Sequence, residues 1–230
     1  MVFKGALFDF SGTLFRVESV RSWLGAVLAE RGATVADEDF DRYVEGLTTA
    51  GALPGGPDPE RVPDRLAEVW ATRDESAERH RAAYTGLARQ VRLPDPGLYD
   101  ALYDRHKSPA AWRPYRDAAE VLGALHSSGV RIGVVSNIGW DLRPVFRAHG
   151  LDALVDAYVL SYEHGIQKPD PQIFHIACTL VGQNPTHVVM VGDSRHADGG
   201  AAALGCEVRF VDHLPVEQRP DGLRELGLVP

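Results

Sequence analysis

The sequence predicts a doubly wound α/β fold, a parallel sheet with helices on both faces, carrying an inserted all-helical cap. Two observations predict it. The C-terminal half alternates short runs rich in β-branched residues with single helical patterns, and strands joined through one helix each need right-handed crossovers that lay them parallel. The stretch from about Arg16 to Arg113, by contrast, shows helical patterns and no convincing buried strand. The expected division is an α/β core of residues 1–15 and 114–230 and a helical lid of residues 16–113.

Taken in order, Phe3–Asp9 reads as the first strand. Trp23, Leu24, Val27 and Leu28 mark one amphipathic helix, and Phe40, Val44 and Leu47 a second. After a linker-like Pro54–Pro59, the positions Leu66, Val69, Trp70, Ala77, Tyr84, Leu87 and Val91 suggest one long third helix. Leu98, Leu102 and His106 belong to a fourth, and Pro109–Pro114 leads back to the core. There, Asp117 is placed to cap a helix carrying Val121, Leu122 and Leu125 and ended by Gly129. Val130–Val135, Ala157–Leu160, His187–Val191 and Cys206–Val211 are short, mainly apolar runs with β-branched residues, the pattern expected of strands covered on both faces. Between them Ile138, Leu142, Val145, Phe146 and His149 form one helical face. Ile173, Ile176, Ala177, Leu180 and Val181 form another, with Asp170 as cap, Pro171 as first helical residue and Gly182 as stop. Gly199–Gly205 reads as a small-residue helix lying close on the sheet.

Composition narrows the class. With 24 basic against 32 acidic residues the net charge is −8, and no basic block stands out, which argues against a nucleic-acid or anionic-membrane surface. No apolar run approaches the ~18 residues of a membrane span. Cys178 and Cys206 lie in apolar stretches, as expected of thiols in a reducing compartment. The chain passes from Met1 straight into a strand-like run with no room for a signal peptide, so a cytoplasmic protein is expected.

In an open parallel sheet, ligands sit beyond the carboxyl ends of the strands, and an insertion after the first strand would hang over that edge. Each strand delivers polar groups there. The first ends in Asp9-Phe10-Ser11-Gly12-Thr13, the second in Ser136-Asn137. The third precedes a loop with Lys168-Pro169, and the fourth ends in Gly192-Asp193-Ser194, with Asp198 following. Only three of the 24 basic residues are lysines, which makes Lys168 less ordinary than a loop lysine would be. Carboxylates beside backbone carbonyls suit Mg²⁺, a lysine and a hydroxyl suit a phosphate dianion, and an aspartate facing the phosphorus is a nucleophile. Singly these are ordinary turns and caps. Their order along successive strand ends points to phosphoryl transfer. No zinc spacing occurs among the nine histidines, and Ser22 and Cys178 lack a base partner.

That order resembles the haloacid dehalogenase superfamily. FDFSGTLF is similar to its first motif, VVSN to its second, GIQKPDPQIF to its lysine motif and VGDSRHADGGAAALG to its acidic fourth motif, with residues 16–113 in the place of its helical cap. The resemblance implies Asp9 as nucleophile and Ser136 and Lys168 as phosphoryl-binding residues, with Thr13 and Asn137 beside them. It implies Mg²⁺ held by Asp9, Asp193 and the carbonyl of Ser11, with Asp198 supporting metal or lysine.

One position departs. The phosphatases of the family usually carry Asp where this chain has Ser11, as acid for the leaving group and then base for water. A serine hydroxyl cannot do this near neutral pH, and loss of a placed acid/base costs ~10²–10⁴ in rate. His164, Asp141 and Glu18 are replacements by position only. Dehalogenases also lack that Asp, but have no use for the metal carboxylate Asp193. Phosphonate-cleaving members use a cap lysine, and Lys107 is the only lysine near the cap. The expectation is therefore an Mg²⁺-dependent phosphohydrolase acting on a small phosphorylated metabolite. The alternative is a catalytically weak phospho-ligand-binding or regulatory protein, with a dehalogenase third.

Overall fold

The computed structural model describes residues 3–228. Met1 and Val2, where the reading of the N-terminus begins, lie outside them. Five strands form one parallel sheet: β1 (Gly5–Phe8), β4 (Arg131–Ser136), β5 (Ala157–Leu160), β6 (Val188–Gly192) and β7 (Glu207–Phe210), in the order β5-β4-β1-β6-β7. β1 is central, with Phe8 paired to Val134 on one side and to Val191 on the other. The chain therefore leaves β1 in both directions, which opens a crevice beyond its carboxyl end.

Alternate strand residues feed two separate hydrophobic clusters. Ala6, Phe8, Ile132, Val134, Val189 and Val191 face one side, packed by α6 (Ala118–Ser127) and α7 (Arg143–Ala148) through Val121, Leu122, Leu125, Val145 and Phe146. Leu7, Val135, Val159 and Met190 face the other, covered by Ile173, Phe174, Ala177 and Cys178 of α9 (Pro171–Leu180), which follows the one-turn helix α8 (Ser161–His164). Covered on both faces, the central strands β1 and β6 are buried and uncharged at every position, whereas the edge strand β7 carries Glu207 and Arg209. Asp170 caps α9 through the Gln172 N–H, as its sequence predicts. Asp117 does not cap α6: its Oδ2 accepts from the Leu223 and Arg224 N–H groups, fastening the C-terminal segment instead. The face predicted from Ile138 to His149 is helical only over α7, because the strand-end loop runs on through Leu142. The small-residue segment is a 3₁₀ helix, Asp198–Leu204.

Between β1 and α6 lies the helical insertion: α1 (Val20–Glu30), α2 (Asp37–Thr49), α3 (Ala67–Ala71), α4 (Ala77–Ala88) and α5 (Gly97–His106). Trp23, Leu24, Leu47, Leu87, Leu98 and Leu102 join the same cluster as the first sheet face. Phe10 bridges the two parts, its ring 4.4 Å from Trp112 and 5.9 Å from Phe146.

Two expectations for the insertion need correction. The region has strands: β2 (Phe15–Val17) pairs antiparallel with β3 (Trp112–Pro114), with Arg16 opposite Arg113. Three-residue strands are too short to show a period in sequence. Both expected boundaries fall inside this ribbon, so the chain enters and leaves the insertion through one paired crossing. The long third helix is in fact three pieces. It stops at Thr72, forms a 3₁₀ turn at Arg73–Glu75, and restarts after Ser76, whose extended backbone and hydroxyl cap α4 through the Arg79 N–H. Among the described residues no helix is long and apolar enough to cross a membrane. Cys178 and Cys206 are buried free thiols, their sulfurs 3.9 Å apart.

Candidate active site

At the carboxyl edge of the sheet a cavity of about 650 Å³ opens between core and insertion. That size suits a small-molecule ligand. Asp9, Ser11, Ser136, Asn137, Lys168, Asp193 and Asp198 all line it, so residues from four separate strand ends do converge.

Lys168 is the centre. Its Nζ donates to Asp9 Oδ1 at 2.7 Å and to Asp198 Oδ1 at 2.6 Å, and the residue is almost wholly buried. Burial works against its charge, but Asp198 and Asp9 outweigh burial and hold the ammonium above its ordinary range. Asn137 fixes the Lys168 backbone: its Nδ2 donates to the Lys168 carbonyl at 2.9 Å and its Oδ1 accepts from the Lys168 N–H at 2.6 Å. The amide expected to bind phosphate is thus occupied on both atoms and positions the lysine. Asp198 is fully buried and also accepts from the Ser194 N–H through Oδ2. Gly192 and Gly200 make this approach possible. A Cβ on Gly192 would stand 2.0 Å from Asp198 Oδ2, and one on Gly200 2.4 Å from the Pro169 carbonyl oxygen. The close packing read from the small residues thus serves the site.

Asp9, Asp193 and Asp198 each offer an oxygen, all within 4.8 Å of one another. Burial raises the Asp9 carboxyl to about 8, with the Asp198 and Asp193 carboxylates adding to the rise and Lys168 opposing it. Two of these acids, Asp9 and Asp198, share the one lysine. An aspartate in that state is a poor nucleophile near neutral pH unless a further cation lowers its proton affinity. The donor set is all oxygen, and so fits a hard divalent ion. Asp193 is held below the usual carboxylate range: burial pushes it up, but contact with His213 Nδ1 prevails.

Thr13 is fully buried and lies outside the cavity lining, its hydroxyl directed to Asp193 Oδ1 at 3.5 Å. The expected phosphate contact from Thr13 is therefore replaced by support for Asp193. Ser11 has a buried hydroxyl with no hydrogen-bond partner among the described residues. The Pro54–Pro59 segment, which reads as a linker, is a wall of the site: Gly55, at φ +76°, lies so close that a Cβ there would stand 2.7 Å from Ser11 Oγ. Of the positional candidates for a replacement acid, Glu18 pairs with Arg105, Asp141 with Arg143, and His164 is exposed; none lines the cavity.

Several site residues have no sequence signal. His213 follows β7, beyond the four motifs. Arg219 is 4% exposed and donates to the carbonyls of Gly12, Thr13 and Asp212, with its guanidinium over the Tyr115 ring. It holds the loop after β1 from behind, 207 positions away in sequence. From the insertion, Trp70, Arg73, Asp74, His80 and Tyr84 complete the cavity.

The model of the haloacid dehalogenase-like hydrolases matches residues 3–205. The chain belongs to that family. Among its relatives, (S)-2-haloacid dehalogenase 4A of Burkholderia cepacia is 35% identical over 144 residues, 61% of this chain and 58% of the dehalogenase. The chain thus spans less than two thirds of that relative's length. A phosphoglycolate phosphatase of Salmonella paratyphi A is 32% identical over 219 residues, 88% of this chain and 79% of the phosphatase. A solved dehalogenase structure superposes with a TM-score of 0.68 at 26% identity, covering 97% of this chain and 95% of that one.

Proposed function

We propose that this member of the family is an Mg²⁺-dependent phosphohydrolase acting on a small phosphorylated metabolite through Asp9. The observation that carries the reading is Asp193: a third carboxylate beside Asp9 and Asp198, against the single ammonium of Lys168. A halide-displacing aspartate gains nothing from that extra negative charge, whereas a divalent cation bound by it offsets charge on a phosphoryl group. Asp9, Asp193 and the Ser11 carbonyl would hold the ion. Lys168 and Ser136 bind phosphoryl oxygens, Asn137 and Asp198 fix Lys168, and Asp9 attacks phosphorus. The insertion closes the cavity and keeps bulk water from the acyl phosphate.

A second reading, displacement of halide from a 2-haloacid, is favoured by Ser11, which supplies no acid, and by the similarity to the B. cepacia enzyme. Purified protein is assayed on 4-nitrophenyl phosphate with and without Mg²⁺, and on (S)-2-chloropropionate for chloride release. Mg²⁺-dependent nitrophenol release, reduced at least ~10³-fold in Asp9→Asn and lost in Asp193→Asn, is the expected outcome. Metal-independent chloride release that survives Asp193→Asn would replace it with the dehalogenase reading. Phosphate binding without either turnover would leave a phospho-ligand-binding protein.

A further inference from the structure

The phosphohydrolase reading leaves a proton unaccounted for, because Ser11 Oγ neither donates nor accepts at neutral pH. The cavity offers few groups to move it. His213 is engaged with Asp193, and Asp58 and His196 are exposed. Burial pushes the Tyr84 phenol up to about 12 and holds the His80 imidazole neutral, well below its usual range. His80 Nδ1 is also tied to the Tyr103 hydroxyl at 2.8 Å.

Asp74 remains. It lies in the 3₁₀ turn that interrupts the expected long helix, is only 3% exposed, and lines the same cavity as Asp9. Its carboxylate makes no hydrogen bond to the described residues; its nearest titratable neighbours are the Arg73 guanidinium, with Nε at 3.5 Å, and the neutral His80 imidazole, with Nε2 at 3.8 Å. Its backbone, however, is fixed to the core. Ser161 Oγ lies 2.5 Å from the Asp74 carbonyl and accepts from the Ile138 N–H at 2.9 Å, directly after Ser136 and Asn137. Two residues before the turn, the Ala71 carbonyl accepts from Gln167 Nε2 at 2.8 Å, next to Lys168. The turn is thus bolted to both core loops that would bind the phosphoryl group. Burial raises the Asp74 carboxyl against the opposing pull of Arg73 and Lys168, so its proton affinity moves toward that of a working acid.

We propose that Asp74, supplied by the insertion, is the general acid and base that the first motif lacks; this rests on the phosphohydrolase reading. As Asp9 bonds to phosphorus, the bond from phosphorus to the leaving oxygen breaks and that oxygen takes the Asp74 proton. The Asp74 carboxylate then takes a proton from water as the water oxygen bonds to phosphorus. The acyl phosphate breaks, returning the Asp9 carboxylate and a protonated Asp74 and releasing phosphate.

Phenyl phosphate and 4-nitrophenyl phosphate test this, since they share a shape while only phenoxide strongly needs a proton to leave. Rapid-mixing assays with Mg²⁺ are run on wild type, Asp74→Asn, Asp74→Glu and the double variant Asp74→Asn/Ser11→Asp. In Asp74→Asn, a burst of about one 4-nitrophenol per site should persist while steady turnover falls ~10²-fold or more, as the phosphoenzyme accumulates. The phenol burst should disappear. Asp74→Glu and the added Ser11→Asp should each restore part of the turnover. Loss of both bursts together, or unchanged turnover on both esters, overturns the role of Asp74. If Asp74→Asn does not fold, the wild-type burst decides: rates that fall steeply from 4-nitrophenyl to phenyl phosphate overturn the proposal, near-equal rates support it. No Mg²⁺-dependent turnover by wild type on either ester defeats the phosphohydrolase reading itself, and this inference with it.

Discussion

The sheet core and the helical insertion meet at one cavity but contribute to it in opposite ways. The core offers its groups from strand ends, where backbone register sets their places: Asp9, Ser136 and Asp193 each lie just beyond or at the end of a strand. The insertion offers its groups from breaks in regular structure: Gly55 from a proline-rich loop, Asp74 from a 3₁₀ turn, and His80 from the first turn of the helix that restarts after it. The cost of holding charge also differs. The core keeps the buried Asp9 and Asp198 beside Lys168, whereas the insertion buries His80, His106 and Asp74 with few hydrogen bonds. The sheet places its groups by backbone register, and the insertion places its groups from irregular joints, of which the Asp74 turn is fastened to the core through Ser161 and Gln167.

The largest effect that sharpens this contrast is expected at Arg219. Replacing it with Met keeps much of the stem but strips donors from the Gly12, Thr13 and Asp212 carbonyls. The loss should be about 3 kcal/mol in urea unfolding, with a less firmly held loop after β1. A change under about 0.5 kcal/mol would mean that the loop holds itself and that the core's order does not depend on this clasp.

An intermediate effect concerns acid. Burial depresses the fully buried His106 imidazole to about 3, against an ordinary value of 6.5, with its contact to the Tyr103 carbonyl pulling the other way. The unfolded chain takes up this proton below pH 6.5 and the folded chain does not, so stability falls as pH drops from 6.5 toward 3. The slope is at most about 1.4 kcal/mol per pH unit for one such group. His80 acts in the same direction. Hydrogen exchange at pH 7 and pH 5 should show the insertion loosening before the sheet, and His106→Asn should reduce the fall. Uniform loosening of both regions would erase the distinction between them.

The smallest effect is expected at the seam. Gly55→Ala would place a methyl 2.7 Å from Ser11 Oγ and 2.8 Å from the Trp112 ring, at φ +76°. The loop must back away, so KM for 4-nitrophenyl phosphate should rise several-fold while melting temperature moves by only a few degrees. An unchanged KM would show that this wall does not touch substrate.

Particular residues explain why the two regions were unequally legible. Phe3–Asp9 and His187–Val191 read correctly because strands buried on both faces must be apolar at every position, and polar residues therefore mark their ends. The pattern from Leu66 to Val91 misled because its helical spacing continues across a break made by one extended residue, Ser76. Pro54–Pro59 has the composition of a linker, and nothing local reveals that Gly55 is pressed against Ser11.

The amino-acid order alone was enough for the parallel sheet, the helical insertion and the edge where Asp9, Ser136, Lys168, Asp193 and Asp198 meet. Each follows from burial period and strand ends, which are properties of neighbours in the chain. Folding in three dimensions decided the rest: that Asn137 holds Lys168, that Thr13 turns to Asp193, that Arg219 clasps a loop 207 positions away, and that Asp74 lines the same cavity as Asp9. These contacts join residues with no shared periodicity, and only tertiary packing selects them, within the core for the first three and of the insertion on the core for Asp74.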